Sequence, residues 1–181
     1  MRLGGLLDAD WQRLLAFSGQ PPRKRKLGSH LNPRFATVVL IRLAQRTHAK
    51  GWPRLAKFFS LLNVLIFGIE VPSRLSIGPG LVIPHPIGTI IGAGRIGANV
   101  TIYQQVTFGA ALADFDFDVA TRPVVEDDVI VTAGAKIIGP VCLGQGCVVG
   151  ANAVVLQNVP GGMLAVGVPA KIISRSSDKP A

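Results

Sequence analysis

The stretch 125–155, VEDDVIVTAGAKIIGPVCLGQGCVVGANAVV, carries a bulky apolar residue at every sixth position. A period of six fits neither the 3.6-residue turn of an amphipathic helix nor the two-residue alternation of a simple strand. It is typical of a solenoid in which each hexad forms one short strand and one turn, so that three hexads close a triangular coil. The bulky residues are Val125, Val131, Ile137, Leu143, Val149 and Val155, and the smaller residues four places later are Val129, Ala135, Val141, Cys147, Ala153 and Val159.

A second run with the same period lies upstream. It consists of Val71, Ile77 and Ile83 and, after a slip of one residue, Ile90, Ile96, Ile102 and Phe108. An ordinary valine-rich β-sandwich is the alternative, but sandwich strands recur irregularly at roughly 8–12 residues. Because each coil buries its apolar side only by stacking on the next coil, both runs predict a mainly β protein built as a parallel β-helix.

Charge divides the 181-residue chain into two parts. Residues 1–69 contain 12 Lys or Arg and 2 Asp, whereas residues 70–181 contain 7 Lys or Arg and 8 Asp or Glu. We expect a basic α-helical region at 1–69, a β-helix domain at 70–172 with an inserted loop at 110–124, and a flexible tail at 173–181. The basic surface suits an anionic membrane or an acidic ligand better than nucleic acid, because no nucleic-acid motif or interleaved aromatic platform accompanies it.

The cysteines and the N-terminus predict a cytoplasmic protein without a metal site. Cys142 and Cys147 both lie in the repeats and match no zinc-type spacing, so we expect reduced packing residues. The first twenty residues include Asp8, Asp10 and Arg13 and contain no continuous apolar core, which indicates that no signal peptide is present.

Three helices are predicted ahead of the repeats. The third is apolar on most of its surface but only about 15 residues long, too short for a bilayer that needs roughly 20. Either it caps the open end of the coil and packs between subunits, or it lies in a membrane interface with nearby cations as phosphate contacts. The signals are Asp8 or Asp10 as a first cap with an end near Gly19, an exposed basic loop at 23–26, Asn32-Pro33 as a second start with an end near Lys50, and Pro53 to Gly68 for the third helix.

More than half of the chain resembles the hexapeptide-repeat acyltransferases, and within them the serine acetyltransferase-like branch. That resemblance implies a left-handed parallel β-helix, acetyl-CoA as the acyl donor, and a homotrimer with the active site shared between subunits. The segments that carry it are IGPG at 77–80, IPHPIGTIIG at 83–92, QVTFG at 105–109, AGAKIIG at 133–139, VGANAVVL at 149–156 and GVPAK at 167–171.

The resemblance assigns His85 as the general base. A lone histidine is more often structural, but His85 stands at the family's catalytic position, two residues after Ile83. Imidazole is suited to taking the acceptor's hydroxyl proton near neutral pH, and a carboxylate partner fixes its tautomer. Glu70 stands fifteen residues earlier, where serine acetyltransferases carry aspartate, so a His85–Glu70 dyad is predicted. No nucleophile motif accompanies it, which favours direct attack without a covalent intermediate.

The acetyl-CoA site also carries over by position. In the family the pantetheine arm passes small residues at the turns of the coil. The matching residues here are Gly109, Ala110, Ala133 and Ala151, although coil turns require small residues anyway. Lys171 matches the segment near the nucleotide end and could pair with phosphate. Backbone amides near Gly109 and Ala110 are candidates for stabilising the oxyanion.

The acceptor is where this chain departs from the serine acetyltransferases. They carry an aspartate before the catalytic histidine, where this chain has Pro84, and an arginine-histidine-proline triplet, where it has 121–123, TRP. Arg122 could still meet a carboxylate, and the predicted substrate-binding residues are Arg122, Pro84 and Asp114. The longer loop 110–120 alternates acid and aromatic residues around Asp114, which suits either a sugar or a subunit contact.

Three functional hypotheses follow. The segment 67–70, FGIE, and the short basic N-terminus are similar to the exopolysaccharide acetyltransferases of the colanic-acid type, which act on saccharides. The leading expectation is therefore O-acetylation of a saccharide intermediate in polysaccharide biosynthesis, on a lipid carrier at the inner face of the membrane. The alternatives are serine O-acetylation in cysteine biosynthesis and a non-catalytic β-helix scaffold.

Overall fold

The computed structural model describes residues 2–112 and 116–175. Three helices come first: α1 (Leu3–Phe17), α2 (Pro33–Ala49) and α3 (Pro53–Phe67), with a 3-10 helix (Leu27–Leu31) between α1 and α2. Within the described residues, none of the helices is both long enough and apolar enough to cross a membrane. Short strands follow, interrupted by a second 3-10 helix (Val119–Thr121) in the loop after the sixth strand.

The strands stack into three sheets that form the sides of a triangular prism. Face A contains β1 (Ile69–Glu70), β3 (Thr89–Ile91), β6 (Thr107–Gly109), β9 (Lys136–Ile138) and β12 (Val154–Val155). Face B contains β2 (Ser76–Ile77), β4 (Arg95–Ile96), β7 (Val124–Val125) and β10 (Cys142–Leu143). Face C contains β5 (Thr101–Ile102), β8 (Ile130–Val131), β11 (Val148–Val149), β13 (Leu164–Val166) and β14 (Lys171–Ile173).

Neighbouring strands on a face are parallel, except for the final β13–β14 hairpin. The hexad positions of 125–155 point into the prism, and every one of them is completely buried. The predicted β-helix preceded by a small helical region is therefore confirmed. One core runs through it, because side chains of α1 and α2 pack in the same buried cluster as the coil.

One residue of the upstream run, Ile90, does not point into the coil as predicted. Ile90 is 42% exposed, whereas Ile91 is completely buried and pairs in register with Phe108. The turn 84–88 holds more residues than the corresponding turn of the next coil, so the inward position falls one residue later than the hexad count places it. Thr89, at the strand start, is buried and donates from Oγ1 to the Tyr103 carbonyl.

Helix boundaries follow their caps except at the first helix. Asn32 Oδ1 accepts from the Arg34 amide (3.0 Å) at the start of α2, and Gly68 ends α3 with φ +61°. In contrast, α1 begins five residues before Asp8, and Arg2 in the cap position forms no side-chain cap bond. The prediction that Asp8 or Asp10 caps α1 is wrong, because both carboxylates pair with arginines instead.

Side chains of α1 and α2 cover the first coil. Arg42 of α2 is buried against Asp10 of α1 and donates to the carbonyls of Ile77 and Gly78 in the coil. One side of α3 carries exposed apolar side chains, with Phe58 at 51% and Leu65 at 70% exposure. The end of α3 also lies against the coil, since Phe67 packs on the same core cluster, and the two alternatives for α3, capping the coil or lying in a membrane interface, stay predictions.

Candidate active site

Two edges of the prism carry the candidate residues. The first edge is formed by turns 85–88, 103–105, 132–134 and 150–152, which precede the strands of face A and are stacked by backbone hydrogen bonds. The second edge follows face A and contains 71–75, 92–94, the start and end of the loop 110–123, and 139–141. A three-residue strand spans about 10 Å, so the two edges of one chain are separated by at least that width.

His85 is exposed on the first edge, in a turn bounded by Pro84 and Pro86. It lies at the rim of a groove of about 290 Å³ that is also lined by Arg34, at the start of α2, and by Ile66 and Phe67, at the end of α3. Pro84, predicted to contact substrate, is itself buried and contributes the wall beside the imidazole. The coil and the helical region therefore build this groove together.

Glu70 lies on β1, one coil below, with an exposed side chain and its backbone opposite Ile90. Within residues 2–112 and 116–175, neither the His85 side chain nor the Glu70 side chain forms a hydrogen bond or an ion pair. The dyad is thus not formed in the single chain, and the pairing of the two residues stays a prediction. Glutamate places its carboxylate one carbon farther from the backbone than the family's aspartate does.

Arg122 lies on the second edge, away from His85 of its own chain. Its Nη1 donates to the Gly92 carbonyl (2.9 Å), and its guanidinium carbon is 3.9 Å from the centroid of the Phe117 ring. Asp114, the third predicted substrate residue, lies outside the described residues. Phe117 belongs to the alternating acidic and aromatic pattern of the loop, whereas no sequence signal identifies Arg74, whose guanidinium carbon is 4.8 Å from the same ring centroid.

The predicted acetyl-CoA residues divide between the edges. Gly109 and Ala110 follow β6 on the second edge, and a Cβ at Gly109 would meet no atom within 4 Å. Ala133 and Ala151 are stacked in consecutive turns of the first edge, since the Asn152 amide donates to the Ala133 carbonyl. Lys171 is exposed on β14 at the far end of the coil.

Both cysteines lie in the coil as thiols with raised pKa values. Burial raises the pKa of the Cys147 thiol to about 12, and burial together with Glu126 raises the pKa of the Cys142 thiol. Both are therefore protonated at neutral pH. The described part of the chain contains no group of three or more His, Cys, Asp or Glu residues able to hold a metal ion.

Comparison with known proteins gives one consistent result. No family model matches the chain. The serine acetyltransferase of Helicobacter pylori is 39% identical over 146 residues, which cover 80% of this chain and 84% of that protein. The serine acetyltransferase of Bacillus subtilis is 32% identical over 139 residues, covering 76% of this chain and 63% of that protein.

Solved structures agree. A crystal structure of Neisseria gonorrhoeae serine acetyltransferase superposes with a TM-score of 0.82 at 26% identity, covering 98% of this chain and 68% of that one. The soybean serine acetyltransferase apoenzyme gives a TM-score of 0.80 at 28% identity, covering 94% and 69%. A serine acetyltransferase in complex with CoA gives 0.78 at 26% identity, covering 93% and 68%.

These findings correct the leading expectation from the sequence. The relatives at 32–39% identity bear the name serine acetyltransferase, so the assignment to polysaccharide O-acetylation is wrong, and the colanic-acid character has no support. The features that suggested it, Glu70 and the short basic N-terminus, are variations on the same scaffold. The chain belongs to the serine acetyltransferase family and is an acetyl-CoA-dependent acyltransferase of the hexapeptide-repeat class.

Proposed function

We propose that the chain transfers the acetyl group of acetyl-CoA to the hydroxyl of L-serine, the step that supplies O-acetylserine for cysteine biosynthesis. The observation that carries this proposal is the 39% identity to a serine acetyltransferase over 84% of that protein's length. Similar structures include one in complex with serine and one in complex with cysteine. Small-molecule binding by those proteins supports an amino-acid acceptor here.

His85 acts as the general base in this reaction. It takes the hydroxyl proton of serine as the oxygen attacks the acetyl carbonyl, and CoA leaves as the thiol once the tetrahedral intermediate collapses. Glu70 is the carboxylate that orients the imidazole and stabilises its cation. The amides that follow β6, near Gly109 and Ala110, are the proposed donors to the oxyanion.

Two copies of the chain are needed to assemble the site. His85, Ala133 and Ala151 lie on the first edge, whereas Gly109 and Arg122 lie on the second, across the width of face A. A substrate that touches both sets must bind where the first edge of one copy meets the second edge of another. We therefore propose a homotrimer with one such site at each of its three interfaces.

At the acceptor site this chain differs from the residue pattern of the serine acetyltransferases. Pro84 provides no carboxylate for the ammonium group of serine, so Glu70 and the acidic loop 110–120 are the proposed sources of negative charge. Arg122 is the proposed partner of the carboxylate. Contact of the basic N-terminus with a membrane and a location in the cytoplasm stay predictions, and the relatives give no support to the membrane contact.

Thiol release from acetyl-CoA with L-serine as the sole acceptor tests the proposal. We expect turnover by the wild type and a loss of about 10²- to 10⁴-fold in His85→Ala, the usual contribution of a general base. Glu70→Asp should retain more activity than Glu70→Gln, because it preserves the charge and matches the family's residue. Acetyl-CoA binding without any serine-dependent thiol release would refute serine as the acceptor.

A further inference from the structure

Phe117 has two guanidinium groups close to its ring. The carbon Cζ of Arg122 lies 3.9 Å from the ring centroid and that of Arg74 lies 4.8 Å from it. The two cationic carbons are therefore no farther apart than the sum of these distances, 8.7 Å. Arg74 comes from the turn between β1 and β2, and Phe117 and Arg122 come from the loop after β6, so the cluster joins two separate segments of the second edge.

The backbone beneath this ring is strained. Phe117 has φ +59°, in the left-handed region that a bulky side chain rarely adopts. Strain of this kind costs about 1–3 kcal/mol and persists only where the surroundings hold it. The Arg74 guanidinium also donates to the Asp116 carbonyl (3.3 Å), which ties the segment before Phe117 to the coil.

Arg122 is held on its other side by the coil. Its Nη1 donates to the Gly92 carbonyl at 2.9 Å, and a Cβ at Gly92 would lie 3.0 Å from that nitrogen. A glycine at this position therefore allows the guanidinium to approach the backbone closely. The ring and the carbonyl both restrict the orientation of the Arg122 side chain, which is only partly buried.

We propose that Phe117 is a positioning residue that holds Arg122 in the orientation that binds the carboxylate of the acceptor amino acid, and that Arg74 supplies a second positive charge to the same carboxylate. This inference rests on the proposed function and names the acceptor group that the second edge recognises. Arg74 is exposed and forms no ion pair within the described residues.

Electrostatics explains why an anion is the expected ligand. Both guanidinium groups are permanent cations no more than 8.7 Å apart, so one anionic group of the acceptor is attracted to both of them. Planar guanidinium groups also bind carboxylates with paired N–H donors, which fixes the acceptor's orientation. In the proposed trimer the second edge faces His85 of the partner subunit, so a carboxylate held here would place the serine hydroxyl toward the base.

The test compares Phe117→Leu with Phe117→Tyr in the full-length chain, using L-serine and L-serinamide as acceptors. Both replacements retain a Cβ and the same backbone restriction, but only tyrosine retains an aromatic face. We expect Phe117→Leu to raise KM for L-serine about tenfold, with kcat within about twofold of the wild type, in line with a partly desolvated cation–π contact. KM for acetyl-CoA and kcat/KM for serinamide, which has no carboxylate, should not change, and Phe117→Tyr should resemble the wild type.

A double-mutant cycle tests Arg74. Phe117→Leu should have a smaller effect on KM for serine in an Arg74→Gln background than in the wild type, because the two residues act on one group. Equal loss with serine and serinamide would show that the ring only maintains the loop and would overturn the inference. A rise in KM for acetyl-CoA alone would assign the two arginines to a CoA phosphate instead, which also overturns it. If the wild type does not acetylate L-serine, the proposed function fails; if it does and Phe117→Leu is not selective, only this inference fails.

Discussion

Replacement of Asp10 by alanine should destabilise the protein more than the same replacement of Asp8, the other acidic residue of the helical region. Asp10 is completely buried, and Arg42 is 1% exposed. The carboxylate accepts from Arg42 Nε (2.8 Å) and Nη2 (3.0 Å) and from the amides of Gly80 (2.8 Å) and Leu81 (2.9 Å). One side chain of α1 therefore joins α2 to the first coil.

The magnitude follows from what remains after the change. Removal of one partner of a buried ion pair costs about 3–5 kcal/mol, because the other charge is left uncompensated. Arg42 would keep its bonds to the carbonyls of Ile77 and Gly78 and to Gln45 Oε1, which reduces that cost. The two coil amides, in contrast, lose their acceptor, so we expect about 4 kcal/mol in total. For a chain of this size, each kcal/mol lowers Tm by about 2–4 °C, which gives a fall of roughly 8–16 °C.

Thermal and urea unfolding followed by circular dichroism measure this loss, and Asp8→Ala is the matched control. Asp8 lies two residues earlier in α1 and pairs with Arg25 at 3.0 Å, but its side chain is 60% exposed. Such a pair contributes at most about 1 kcal/mol, and the change in helix propensity is the same in both variants. Asp8→Ala should therefore lower Tm by no more than about 4 °C.

The double variant Asp10→Leu/Arg42→Met completes the experiment. Removing both charges leaves no buried ion, so it should unfold at a higher temperature than Asp10→Ala. Equal Tm values for Asp10→Ala and Asp8→Ala would refute the reasoning, because burial would then make no difference to the energy of the pair. A double variant less stable than Asp10→Ala would show that the hydrogen bonds of Arg42 to the coil matter more than its charge.

Two further predictions concern the coil. Gly78→Ala should lower the free energy of unfolding by about 1–3 kcal/mol, since its Cβ would lie 2.6 Å from the Gly97 carbonyl. The control is Gly109→Ala, which adds a methyl group in open space. It should leave urea unfolding nearly unchanged but raise KM for acetyl-CoA. The Cys147 thiol, with its pKa raised to about 12, stays protonated when folded but ionises near pH 8.5 when unfolded. Stability should therefore fall as pH rises from about 8.5 to 12, more steeply in the wild type than in Cys147→Ala, and parallel pH curves would contradict this.

The sequence was sufficient to predict the coil because its signal is local and repeated. Each hexad from Val125 to Val155 meets the same packing requirement, so one pattern identifies all six positions, and all are buried. The six-residue spacing failed at Ile90 because the turn before it is longer than the corresponding turn of the next coil. The composition of the hexads that follow is the same whatever the length of that turn, so the sequence pattern does not reveal it. The acceptor was mistaken for a different reason: Glu70 and the basic N-terminus are compatible with more than one substrate.

What the sequence by itself determined is the repeat, the caps at Asn32 and Gly68, and the position of His85, all of which depend on residues close together in the chain. Only the tertiary structure decided that Asp10 pairs with Arg42, 32 residues away, instead of capping α1, and that Arg42 of α2 bonds to the carbonyls of the first coil. It also decided that Arg74 and Arg122 share the ring of Phe117. The physical reason is that buried charges and stacked cations find their partners through the stacking of coils and helices, which sets distances that spacing along the chain does not encode.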